Sequence, residues 1–132
     1  MPTVFTPPGH LCDSWGLACD HSGNVYVSDS LINRIQVFTA DGECLWHFGK
    51  HGKSQGKLNF PAGIAIDSGN TVFVAERHNH RVSVFDSGGN HVTSFGSHGK
   101  RPGELNYPRG LALDECGVIY VCDNNNNCLQ MF

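Results

Sequence analysis

The sequence repeats itself every 47 residues, and this period constrains the fold more than any other property. Trp15-Gly-Leu-Ala-Cys-Asp20 aligns with Ala62-Gly-Ile-Ala-Ile-Asp67 and with Arg109-Gly-Leu-Ala-Leu-Asp114. The register continues without a gap through Val25-Tyr-Val-Ser-Asp29, Val72-Phe-Val-Ala-Glu76 and Ile119-Tyr-Val-Cys-Asp123. It reaches Phe38, Phe85 and Phe132, where the third copy stops. The connectors repeat too, since Gly56-Lys-Leu-Asn-Phe-Pro61 matches Gly103-Glu-Leu-Asn-Tyr-Pro108.

Each full copy contains four short apolar runs, 16–20, 25–29, 34–38 and 44–48 in the first, separated by turn residues such as Ser22-Gly-Asn24 and Ala40-Asp-Gly42. Runs of this length between turn signals predict strands joined by hairpins, eleven in all. Both parities of a run are often apolar, which predicts sheets covered on both faces. No window combines helical spacing with caps. A four-stranded unit of this length, covered on both sides by its neighbours, fits a β-propeller blade better than a sandwich or a β-solenoid coil. The fold class is therefore all-β: a partial propeller of antiparallel blades, with the third incomplete, since 132 residues hold about 2.8 periods.

The stretches Phe60-Pro-Ala-Gly-Ile-Ala-Ile-Asp67, Asn70-Thr-Val-Phe-Val-Ala-Glu76 and Asn79-His-Arg-Val-Ser-Val-Phe85 resemble the NHL repeat. Asn79-His80 carries the first two letters of the signature, with Arg81 in third place. The resemblance covers residues 9–132, and the chain divides into a lead-in strand or connector at 1–14, repeats at 15–61 and 62–108, and a partial repeat at 109–132. It implies a propeller that reads a protein or RNA partner, often as the substrate-binding part of a ubiquitin ligase. It also includes metal-dependent propeller lyases, whose ligand set does not recur in these copies. The expectation is a non-catalytic binding module without a cofactor, with a protein as the main partner, RNA as the alternative and a lyase or lactonase as the rival enzyme class.

Blade geometry sorts the charges. The b–c loops and the connectors share one rim, and that rim receives all nine basic residues: Arg34, Lys50, Lys53, Lys57, Arg77, Arg81, Lys100, Arg101 and Arg109. Five acids accompany them, for +4, while the other rim holds seven acids, for −7; together they give the net charge of −3. With His78 and His80 added, these residues form the candidate contact surface for acidic protein or phosphate. Asp29 with Arg34, and Glu76 with Arg81, are candidate structural pairs. Lys50-His-Gly-Lys-Ser-Gln-Gly-Lys57 reads as a flexible, glycine-bearing segment poised to contact a ligand.

Other chemistry is weaker. The six cysteines lack Cys-x2-Cys spacing, and Cys19 and Cys122 fall on strand positions that predict small core residues. Cys128 replaces the arginine of the other copies, which removes the charge partner expected for Asp123. His78 and His80 would share a face on a strand, but the arginines beside them oppose a metal ion. Asn124 to Asn127 predict a left-handed turn. Trp15, Trp46, Phe48, Phe60, Phe95 and Tyr107 predict core packing before base stacking. No apolar run approaches the roughly 20 residues of a membrane helix, so the expected location is cytoplasmic and off the membrane. Exposed end blades predict self-association, with Thr3-Val-Phe5 as a candidate outer strand.

Overall fold

A computed structural model describes residues 11–132. The candidate strand at Thr3 to Phe5 lies outside them. Among the described residues, eleven strands form three antiparallel sheets. The first sheet joins β1 (Ser14–Cys19), β2 (Val25–Asp29), β3 (Arg34–Phe38) and β4 (Cys44–Phe48) in sequence order. The second repeats that order with β5 (Pro61–Ile66), β6 (Val72–Glu76), β7 (Arg81–Phe85) and β8 (His91–Phe95). The third has β9 (Pro108–Leu113), β10 (Ile119–Asp123) and β11 (Cys128–Met131). The only helical element among the described residues is a 3-10 turn at Asn124–Asn126. The described residues thus form a partial β-propeller of two four-stranded blades and one three-stranded blade.

The first strands of the blades pack side by side, β1 against β5 and β5 against β9. Each loses its regular pairing near its start, between Ser14 and Leu17, Pro61 and Ile64, and Pro108 and Leu111. Gly16 and Gly63 occupy these irregularities. A Cβ on Gly63 would stand 2.2 Å from the Arg109 carbonyl oxygen, and one on Gly16 2.4 Å from that of Ala62. Backbone approach this close admits no side chain, so the repeated glycine sets the blade spacing. Ser28 ties the first two blades as well, donating its hydroxyl to the Ala62 carbonyl at 2.5 Å.

The core lies between blades. Ile35, Val37, Leu58, Ile64, Val72, Val74 and Phe85 fill the first junction, and Val82, Leu105 and Val121 the second. Leu58 and Leu105 come from equivalent points of the two connectors and are fully buried. Each contributes on the order of 1.5–3 kcal/mol by leaving water. Among the described residues, only the middle blade is covered on both faces by neighbouring blades. Val82 is 0% exposed, while its counterpart Leu129 on the last blade is 59% exposed; Ile64 is 6% exposed and its counterpart Leu17 on the first blade 69%.

This asymmetry corrects the expectation for two cysteines. Cys19 and Cys122 are exposed, because they sit on the end blades, although Ala75, the counterpart of Cys122, is fully buried. All six cysteines are free thiols. No helix among the described residues is long and apolar enough to cross a membrane.

Candidate binding rim

The b–c loops and connectors meet on one rim through a repeated latch. Asn33, His80 and Asn127 hold φ at 54°, 52° and 54°, and the residues that begin the following blades, Phe60 and Tyr107, hold 54° and 55°. Bulky side chains seldom adopt this left-handed conformation, so a specific contact must hold it. The contact is the same in both junctions. Asn33 Oδ1 accepts the Phe60 amide proton at 2.8 Å, and His80 Nδ1 accepts that of Tyr107 at 3.1 Å.

Beneath the latch, each blade carries a buried carboxylate. Glu76 is fully buried and takes the Arg81 Nε proton at 2.7 Å, the Asn79 amide at 2.7 Å, the Asn59 backbone N–H at 3.3 Å, and the Ser83 hydroxyl. Arg81 also donates to the carbonyls of Lys53, Ser54 and Lys57, at 3.0, 3.1 and 2.7 Å. Glu76 and Arg81 form the one ion pair among the described residues. Arg81 is 7% exposed, so this candidate contact residue works inside the blade. Asp29 and Arg34 face each other across β2 and β3, and Asp29 accepts the amides of Cys12 and Asp13 at 2.8 and 3.0 Å.

The lysine-rich segment is ordered, contrary to the expectation of flexibility. Leu58 N–H donates to the Lys50 carbonyl, Gly52 N–H to that of Leu58, and Asn79 Nδ2 to that of Gly52. With the three Arg81 bonds added, its backbone is fixed, and the side chains of Lys50, Lys53 and Lys57 project exposed. Lys100, Arg101 and Arg109 are exposed on the same rim. Asp123 also departs from expectation. Gln130 Nε2 and Asn126 Nδ2 each donate to it at 2.8 Å, replacing the missing arginine.

The two histidines do not share a face, because residues 77–80 form a turn. His78 stacks on Phe60 at 4.1 Å between centroids, while His80 stacks on His98 at 4.1 Å. Tyr107 meets both edge-on, at 5.4 and 4.6 Å. Burial, joined by the Arg77 charge, lowers the His78 pKa. Burial followed by His98 and His78 lowers that of His80, against a smaller opposing effect of Asp123. Both imidazoles are therefore biased toward the neutral form. Among the described residues, no group of three or more His, Cys, Asp or Glu side chains is placed to hold a metal ion.

Sequence reasoning missed the cationic cluster on Trp15. The Arg77 guanidinium lies 4.4 Å from the Trp15 ring centroid and 5.6 Å from that of Phe60, and Arg109 lies 5.1 Å from Trp15. Trp15 is 44% exposed, so its expected role in core packing is corrected. Trp46 and Phe48 do pack, stacked at 5.1 Å beside Phe85. A signal was present in the alignment: Trp15 falls opposite Ala62 and Arg109, so this repeat position is not a uniformly apolar one.

The NHL repeat family matches residues 58–85 and 105–132, two stretches that are themselves one period apart. Protein lin-41 of Caenorhabditis elegans is 47% identical over 34 residues, which is 26% of this chain and 3% of that protein. Among solved structures, the fold is similar to a streptogramin B lyase (TM-score 0.68, 14% identity, 96% of this chain and 41% of that one). It is similar also to a protein of unknown function from Bacteroides thetaiotaomicron (TM-score 0.74, 17% identity, 87% of this chain and 34% of that one). This chain thus spans less than half the length of those proteins, and at such identities the likeness is one of fold. Repeat period, blade topology and the two matched units together identify NHL repeats at residues 58–85 and 105–132.

Proposed function

We propose that this chain is a non-catalytic binding module whose b–c and connector rim contacts an acidic surface of a protein partner. One observation carries the reading: Lys50, Lys53, Lys57, Lys100, Arg101 and Arg109 project exposed from an ordered backbone, and none of them forms an ion pair among the described residues. Fixed, unneutralised cations on one rim steer and orient an anionic partner. The substrate-reader role in a ubiquitin pathway, implied by the family resemblance, belongs to this proposal, as does a cytoplasmic location, to which six free thiols are suited.

The test is fluorescence anisotropy with a labelled hexaglutamate peptide and a labelled oligouridylate. Peptide binding that is lost in Lys53→Glu and Lys100→Glu supports the proposal. Tighter oligouridylate binding, falling steeply with salt, assigns the rim to RNA instead. Stoichiometric zinc or calcium in the purified protein would favour a lyase or lactonase.

The end blades carry a second reading, association of two copies. Gly110 occupies the position of Gly16 and Gly63, yet its outward side meets only Cys122, within a face that also exposes Leu129 and Met131. The opposite end exposes Leu17, so the two ends can repeat the contact that already joins neighbouring blades. A monomeric mass in sedimentation equilibrium rejects this reading.

A further inference from the structure

Arg77 and Arg109 crowd two positive charges onto one indole. Neither guanidinium donates a hydrogen bond or forms an ion pair among the described residues, and the Arg77 Nε is enclosed without an acceptor. Burial and then the Arg109 charge lower the Arg77 pKa, whereas Asp13 and Tyr107 raise it. Arginine at this site remains protonated. Stacking on Trp15 engages the face of a guanidinium and leaves its edge donors for an anion.

We infer that Arg77 and Arg109, held against Trp15, form a seat for one carboxylate side chain of the acidic partner. The charge count selects the ligand. Asp13 is part of the cluster, since its Oδ2 accepts the Trp15 indole proton at 3.2 Å. Two guanidiniums and one carboxylate leave a net charge of +1, which one monoanion neutralises and a dianionic phosphate monoester exceeds. His78, on Phe60 beside Arg77, is biased neutral and adds no further positive charge near neutral pH. A phosphodiester is also a monoanion, but a nucleic acid brings a long row of them, and the acidic opposite rim and the negative total disfavour that approach.

The inference rests on the binding-rim reading, and the experiment separates the two. Trp15 and Trp46 are the only tryptophans, so Trp46→Phe leaves Trp15 as the sole indole reporter. Hexaglutamate is titrated while Trp15 emission and peptide anisotropy are followed, in that background and in the wild-type chain, which covers any folding defect of Trp46→Phe. The expected result is a saturable change in Trp15 emission, with affinity falling about tenfold in Arg77→Ala and in Arg109→Ala. Arg77→Lys should rescue poorly, because ammonium lacks the planar fork. Unchanged affinity in both alanine variants, with binding still lost in Lys53→Glu and Lys100→Glu, overturns the seat and leaves the rim intact. Binding indifferent to all four changes overturns the rim reading as well. An oligouridylate that shifts Trp15 emission at lower concentration than the peptide overturns the carboxylate assignment.

Discussion

The middle and last blades fix the same connector with different chemistry. In the middle blade a guanidinium does it: Arg81 bridges Glu76 and three carbonyls, the last of them that of Lys57. In the last blade Cys128 stands in place of Arg81, and an amide reaches across from the next residue on the same side of the strand. Gln130 Nε2 donates to Asp123 at 2.8 Å and to the carbonyl of Glu104, the counterpart of Lys57, at 2.6 Å. The flanking asparagines are conservative by comparison. Asn79 bridges Glu76 and Gly52, and Asn126 bridges Asp123 and Gly99, with both carbonyl bonds at 2.8 Å. The repeat therefore requires a buried carboxylate and a donor that spans it to the connector, and it does not require that donor to be charged.

That comparison breaks most visibly at Arg81. Arg81→Ala leaves Glu76 buried without its counterion and should cost about 3–5 kcal/mol of stability, read from urea denaturation. Gln130→Ala removes one neutral donor from Asp123, which keeps the Asn126 amide and the Asn106 N–H at 2.7 Å. The expected loss is about 1–3 kcal/mol. Equal losses in the two variants would mean that charge plays no special part in the middle blade. Cys128→Arg sharpens the comparison from the other side. Position 128 is exposed and Asp123 is already satisfied, so the restored pair should change stability by no more than about 1 kcal/mol.

The strands were legible because the period aligns three copies of one hydrophobic pattern, and errors in any single copy are corrected by the others. Coverage was not legible. The alignment gives Cys122 the same position as Ala75, yet one faces water and the other a neighbouring blade. The replacement of Arg81 by Gln130 was hidden for a related reason. A repeat alignment compares position with position, whereas this substitution moves the donor to a different position of the strand. The Trp15 cluster lay further out of reach, since it joins residues of three blades at sites where the copies differ.

The smallest effect at neutral pH, and the most specific, belongs to the latch. Asn33 and His80 perform one task, each accepting the first amide of the next blade from a left-handed conformation. Only His80 titrates. Its folded-state pKa is lowered from the reference value of 6.5, chiefly by burial and then by His98 and His78. The unfolded chain therefore binds this proton more readily than the folded one, and stability rises with pH across the interval between the two values. The contribution is complete above 6.5 and is lost as pH falls from there toward the folded value. Protonation also occupies the Nδ1 lone pair that receives the Tyr107 amide. His80→Asn installs the residue that already serves at position 33, keeps the acceptor and tolerates positive φ. Thermal melts at pH 8 should then differ little between variant and wild type, while at pH 5 the variant should melt higher. A wild-type melting curve whose decline between pH 7 and pH 5 survives unchanged in His80→Asn would show that the two latches are equivalent and that the acid sensitivity arises elsewhere.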